Sequence, residues 1–198
     1  MRRLIPNRRQ LAAGTAVLTA FFAAAAAFRQ WVLPYCVPLP EKASACGTPA
    51  RQFFSRSGEL LHSRPGFDYE WSFPVRLDAL PAHLTEITLA VEDRNFLRHD
   101  GVDPAASARA FSQLLRHGRI VSGSSTLTMQ LMNLLDRRPR SWFNKLRQME
   151  QARGWEKKHS KREILEAYFN RLPYGGKLRG IEAAARYYFG RPASELNF

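Results

Sequence analysis

The chain has 198 residues, 45% hydrophobic and 24% charged, an ordinary globular balance for which one domain is the default. It shows no internal repeat and no heptad run, which excludes a solenoid or a coiled coil. The formal charge of +13 would suit nucleic acid, but the first forty residues give the chain an address where nucleic acid is not met.

No Asp or Glu occurs before Glu41, while Arg2, Arg3, Arg8 and Arg9 crowd the first nine positions. Residues 11–28, "LAAGTAVLTAFFAAAAAF", are uncharged and mostly apolar. A helix of that length, at about 1.5 Å per residue, spans most of a ~30 Å hydrocarbon layer. Arginines before the run, and Arg29 alone just after it, predict the N-terminus in the cytoplasm and the remainder on the far side of the membrane. A cleaved signal peptide is the rival reading, because Ala23 to Ala27 offers an A-x-A-like site; the run exceeds an h-region of roughly 7–15 residues. On either reading the rest works outside the cytoplasm. Anionic lipid head groups or a pyrophosphate-bearing substrate suit the charge there, and a merely basic solvated surface explains part of it without any ligand.

Residues 29–50 read as a Pro-rich linker. Cys36 and Cys46 lie within it, and two readings stand: a disulfide staple, which an exported compartment permits, or two free thiols. The expected organisation is therefore a basic tail at 1–10, a membrane anchor at 11–28, the linker, and a domain from 51 to 198.

"RQFFSRSGELLHSR" offers two short alternating runs around Ser57-Gly58, a hairpin signal. After Pro81, Leu84, Ile87 and Val91 recur at helical spacing, predicting a helix to about residue 96 with that face toward a core. Asp103-Pro104 supplies a cap and a first helical residue, starting a helix that runs to about 117 before Gly118. "SGSSTLTMQLMNLL" and "RSWFNKLRQMEQARGWEKKH" read as two further helices. Ser160 with Glu163 forms a capping box for "KREILEAYFN", and "GIEAAARYYFG" reads as a last helix ended by Gly190. The fold class expected is mainly α with a small β element.

Glu92 and Asp93 are adjacent, and neighbouring helical residues point about 100° apart, so they cannot serve one bond as a pair. Glu92 borders the apolar stripe, where partial desolvation would make a carboxylate a better base; read alone it is a surface residue. His99 read alone is a hydrogen-bonded structural histidine. "GSSTLTMQ", residues 123–130, offers hydroxyls and free amides at a helix start, fit for an anion or for an ordinary cap. Lys145 and Gln148 share a helix face with Glu156 further along; the lysine either neutralises a departing phosphate or is simply solvated. No G-x-x-x-x-G-K-[ST] loop and no H-E-x-x-H motif occur, so neither a nucleotide site nor a zinc hydrolase is supported.

The order of "EDRNFLRHDGVD", "SGSSTLTMQL", the Lys145/Gln148 helix and "SKREILEAYFNRLPYGG" resembles the family 51 glycosyltransferases, the peptidoglycan polymerase module of class A penicillin-binding proteins. The resemblance runs from about residue 51 to 198. It implies a lysozyme-like lobe with a smaller membrane-dipping jaw, whose apolar surface Phe111, Leu114, Leu115, Ile120 and Val121 would supply. It implies polymerisation of lipid II into β-1,4 glycan with release of undecaprenyl pyrophosphate. By motif match Glu92 would be the general base, supported by Asp93, Phe96, His99 and Gly101. Gly123, Ser124, Ser125, Thr126 and Gln130 would line the donor side, Lys145 would contact the pyrophosphate, and Glu156 and the stretch from Glu166 to Asn170 would buttress the cleft. Membrane lipids, the glycan strand and other cell-wall synthesis proteins are the implied partners; a divalent cation such as Mg²⁺ is implied for some members, although no metal cage is legible here.

Two departures from the family pattern stand out. Its third motif usually reads Arg-Lys-x-x-Glu, and here Gln148 replaces the glutamate. A further motif is expected beyond Phe198, so the chain reads as the front of a longer protein. No Ser has Lys three residues later, so no acyl-enzyme chemistry is expected. Two rival functions share these features: a lytic transglycosylase or lysozyme-like hydrolase, and an inert membrane-anchored scaffold.

Overall fold

A computed structural model describes residues 8–31, 33, 37–40, 48–117 and 125–197. Two units are distinguished, Met1–Pro38 and Leu39–Phe198. Cys36, Cys46, Gly118, Ile120, Val121, Gly123 and Ser124 lie outside the described residues, as do the side chains of Phe111, Leu114 and Leu115.

Among the described residues the first unit shows the helix α1 (Arg8–Trp31), with Arg29 in its last turn and no acidic residue in its first. Leu18, Phe21, Phe22 and Phe28 are exposed along it. The Thr19 hydroxyl donates back to the carbonyls of Thr15 and Ala16 at 3.0 and 2.9 Å, so this polar group is satisfied within the helix. The helix expected over 11–28 is thus present and longer at both ends. Among the described residues, however, no helix is long and apolar enough to cross a membrane.

The second unit is mainly helical. Strands β1 (Arg51–Phe54) and β2 (Leu60–Arg64) pair antiparallel, forming the expected hairpin, with a register shift at Phe53/Phe54. Gly58 at φ +87° turns the chain between them. Short strands β3 (Trp71–Ser72) and β4 (Leu178–Arg179) pair in parallel. Two-residue strands carry no alternation, so nothing in the sequence announces them.

Six helices follow: α2 (Ala82–Glu92), α3 (Pro104–His117), α4 (Leu127–Leu135), α5 (Trp142–Glu156), α6 (Lys161–Arg171) and α7 (Ile181–Phe189). Their starts obey capping chemistry. Thr126, Ser141 and Ser160 each accept a hydrogen bond from the backbone N–H three residues on, and Ser160 with Glu163 completes the expected capping box. Gly190, at φ +66°, closes α7 in the left-handed conformation.

Helix α4 is the centre of the unit and packs against both α5 and α6. Leu127, Thr128, Met129, Leu131 and Met132 are all buried, so α4 is apolar on nearly every side, as a core helix must be. Phe96, Ile164, Tyr168 and Phe169 close the core around it.

Helix α2 departs from the expected boundary. It ends at Glu92, and Asp93 leaves the helix at φ −159° to turn its carboxylate inward; Phe96–Arg98 then form a separate 3-10 turn. The expected inward stripe also fails in part. Leu84 and Leu89 pack on the core, but Ile87 is 44% exposed and Val91 74%. Val91 shares the angular position of Leu84 but stands in the last turn, which also carries Glu92 out to solvent.

Candidate active site

Asp93 is the first hub of the site. Its buried carboxylate receives Nε2 of His99 at 3.0–3.1 Å and the backbone N–H of Leu127 at 2.9 Å. A carboxylate of this kind can only accept, so the imidazole donates from Nε2. Leu127 opens α4, so Asp93 neutralises the positive end of that helix while gripping His99. Phe96 packs edge-on to His99, and Lys161 lies 4.3 Å from the Phe96 ring centroid while donating to the carbonyl of His99 at 2.6 Å. Asp93 and His99 thus hold α2 to α4 and α6 through the carboxylate, Nε2 and the His99 carbonyl.

Gly101 serves the same joint. It lies at φ +87°, and a Cβ there would stand 2.6 Å from the carbonyl of Ala152, so only glycine fits against α5. Its own carbonyl accepts the Thr126 hydroxyl at 2.6 Å, and that hydroxyl in turn caps α4.

Glu92 is placed differently. Freed from Asp93 by the helix end, it is exposed, and the apolar cover expected from Val91 is absent. One oxygen, Oε2, accepts from Nε2 of Gln130 at 2.8 Å, and Oε1 of Gln130 accepts the phenol of Tyr168 at 3.1 Å. Burial, and next the Glu92 carboxylate, push the Tyr168 phenol far above its ordinary range, and burial pushes Tyr174 up to about 12.

Lys145 and Gln148 come together as their i, i+3 spacing requires. Nζ of Lys145 donates to Oγ of Ser125 at 2.5 Å and to Oε1 of Gln148 at 3.4 Å. Nε2 of Gln148 donates to the carbonyl of Met129 at 2.6 Å. Among the described residues no carboxylate lies within ion-pair reach of Lys145, so only neutral oxygens hold its half-buried ammonium. Desolvation pulls its pKa below the ordinary lysine value. Gln148 reaches Met129 and Glu92 reaches Gln130, consecutive residues of α4, so one helix registers both the carboxylate and the cation.

The remaining residues expected in the cleft act as struts. Glu156 receives the hydroxyl of Thr128 and the ammonium of Lys161, each at 2.5 Å. Glu166 accepts from the N–H of Leu77 at 2.8 Å, and Asn170 pairs with both backbone groups of Val75 at 2.8 Å. Their polar atoms therefore hold the strap at residues 75–77 and line a cavity of about 560 Å³ with Trp155 and His159. A second cavity, of about 620 Å³, is lined by Trp71, Phe73, Lys177, Tyr187 and Tyr188. Neither lining includes Glu92, Gln130 or Lys145.

Sequence reasoning missed Thr128 and Lys161, and covered Tyr168 only as part of the stretch from Glu166 to Asn170. Each sits within a motif already singled out, but its partner lies 28 to 62 residues away in the chain. No local pattern signals such a pairing. Among the described residues no three His, Cys, Asp or Glu side chains cluster closely enough to cage a divalent cation.

Comparison with known proteins decides the family, because a transglycosylase model matches residues 57–198. The chain belongs to the transglycosylase family. Within it, "LRHGRIVSGSSTLTMQL", the Lys-x-x-Gln form of the third motif and "NRLPYGG" look most like penicillin-binding protein 1C. Penicillin-binding protein 1C of Escherichia coli is 40% identical over 178 residues, 90% of this chain and 22% of that protein. Penicillin-binding protein 1A of Aquifex aeolicus is 41% identical over 126 residues, 63% of this chain and 17% of that protein. Penicillin-binding protein 1A of Pseudomonas aeruginosa is 39% identical over 145 residues, 73% and 17% respectively. This transglycosylase-family chain spans about a fifth of the length of these relatives.

Proposed function

We propose that this transglycosylase-family chain is a peptidoglycan glycosyltransferase that polymerises lipid II in cell-wall synthesis. The observation that carries the reading is the division of labour around α4. An exposed carboxylate, Glu92, has one oxygen held by Gln130, and a desolvated ammonium, Lys145, is held among the described residues by neutral oxygens.

In this mechanism the free oxygen of Glu92 takes the proton from the sugar 4-hydroxyl of the acceptor. The alkoxide-like oxygen attacks the anomeric carbon of the donor as the bond to pyrophosphate breaks, giving a β-1,4 linkage with inversion. Undecaprenyl pyrophosphate leaves as a stable anion that needs a cation more than a proton. Lys145 supplies the charge, with the Ser125 hydroxyl and the start of α4 beside it. Gln148 fits this scheme: a glutamate there would tie up the ammonium, whereas an amide orients it and leaves its charge for the substrate. The lobe is read as lysozyme-like.

The chain is further proposed to be anchored by α1 in the inner membrane with its N-terminus cytoplasmic and its catalytic domain periplasmic. The exposed apolar side chains of α1 and the arginines before it support this. Membrane lipids, glycan strands and cell-wall synthesis proteins are its proposed partners.

Labelled lipid II incubated with the purified chain tests the reaction. Growth of a glycan polymer is expected; release of small muropeptides from finished cell wall, without polymer from lipid II, would establish the glycan-cleaving alternative instead.

A further inference from the structure

Tyr168 stands apart from the residues that would touch substrate, yet it begins the chain of side-chain hydrogen bonds that runs through Gln130 to Glu92. It is 2% exposed, its ring packs edge-on against Phe169, and its hydroxyl donates to Gln130. We propose that Tyr168 is a positioning residue for the candidate base: by fixing the carboxamide of Gln130 it aims Nε2 at Glu92, holding Oε2 and leaving Oε1 to meet the acceptor hydroxyl. This inference rests on Glu92 being the base.

The reason lies in donors and acceptors. A carboxamide has one acceptor end and one donor end, and an ionised carboxylate tolerates only the donor end. A phenol can donate or accept, so on its own it would not choose. The Tyr168 phenol stays protonated throughout the working range, because burial and the Glu92 carboxylate both oppose its ionisation. A permanent O–H facing Gln130 selects the carbonyl end, and the donor end must then face Glu92. Both hydrogen bonds thus enforce one amide orientation, and that orientation favours the ionised carboxylate, the form a base requires.

Among the described residues, the charged groups flanking this point are directed elsewhere. From the end of α2, Asp93 is turned to His99 and Leu127, and Nε of Arg94 donates to the carbonyl of Ala90. Helix α4 presents Gln130, which does not titrate. Helix α6 presents Tyr168, and Tyr174 lies after it with its phenol also held neutral by burial. Among the described residues, Tyr168 and Gln130 are therefore the groups positioned to orient the Glu92 carboxylate.

The test is an NMR pH titration of carboxyl-labelled glutamate in the full chain, with the Glu92 resonance assigned by its loss in Glu92→Gln. Tyr168→Phe keeps the ring and removes only the O–H. It is expected to raise the proton affinity of Glu92 by about two- to tenfold, because a hydrogen bond favouring the anion is loosened. Gln130→Met, which removes the relay while keeping its length, should produce at least the same shift, and Tyr168→Phe added to it should change nothing more. A midpoint for Glu92 that stays put in both variants would overturn the proposal, as would full additivity of the two substitutions. Should Tyr168→Phe not fold, an unmoved Glu92 midpoint in Gln130→Met by itself overturns the proposal, because the relay runs through Gln130. The readout needs no turnover, so it separates this inference from the reading of the reaction: a shifted midpoint with lipid II left unpolymerised would sink the reaction and keep the relay.

Discussion

Residue-level consequences concentrate on Lys145 and Gln148. Desolvation holds the lysine pKa below its usual value, so its charge is lost at a lower pH than for an exposed lysine. Polymerisation is therefore expected to fall on the alkaline side before an ordinary lysine would titrate. Gln148→Glu places a carboxylate at the 3.4 Å contact, which favours the charged lysine and should move that alkaline limb upward. The same substitution sets an acceptor against the carbonyl of Met129 in place of a donor, which costs about 1–3 kcal/mol of stability. A rate–pH profile and a thermal melt of this one variant check both directions. Glu92 itself was only partly legible in the sequence. Its motif marked it, but the apolar setting read from Val91 was wrong, since a helical stripe gives an angle and not a position along the axis.

At the scale of elements, side-chain hydrogen bonds tie the ends of α2, α3 and α4 together. Asp103 caps α3 through the N–H groups of Ala105 and Ala106, and its other oxygen accepts from Asn95 at 2.8 Å. The Asn95 hydrogen bond first, then the backbone bonds, hold its carboxyl below the ordinary carboxylate value. Stability from this cap is therefore complete above the unfolded-state pKa and lost as pH falls through the lower folded value. Asp103→Ala should cost about 0.5–2 kcal/mol near neutrality, a difference that shrinks in acid, as denaturant melts at two pH values would reveal. Gly101→Ala should be worse, about 2–4 kcal/mol, since it combines a left-handed backbone with a Cβ against Ala152. Capping residues were the most readable feature of the sequence: Asp103, Ser160 and Gly190 stand where predicted because their chemistry is local. The end of α2 was not, because Asp93 leaves the helix for partners six and thirty-four residues away.

For the whole molecule, the sequence supplied the family and the helical class, because four motifs in order constrain a fold more than any one segment does. It did not reveal that Glu166 and Asn170 spend their polar atoms on the strap at 75–77, or that Thr128 and Lys161 close on Glu156, since those pairings exist only once α4, α5 and α6 have packed. If α1 anchors the chain, removing residues 1–38 should release the remainder from membranes without abolishing its fold, which fractionation and circular dichroism would establish. The central claim is that Glu92 is the base of a lipid II polymerase, and comparison of the intact chain with Glu92→Gln on labelled lipid II tests it most directly. The account predicts glycan polymer and undecaprenyl pyrophosphate from the unaltered chain and a loss of about 10²-fold or more in Glu92→Gln at unchanged thermal stability; equal polymerisation by both would contradict it.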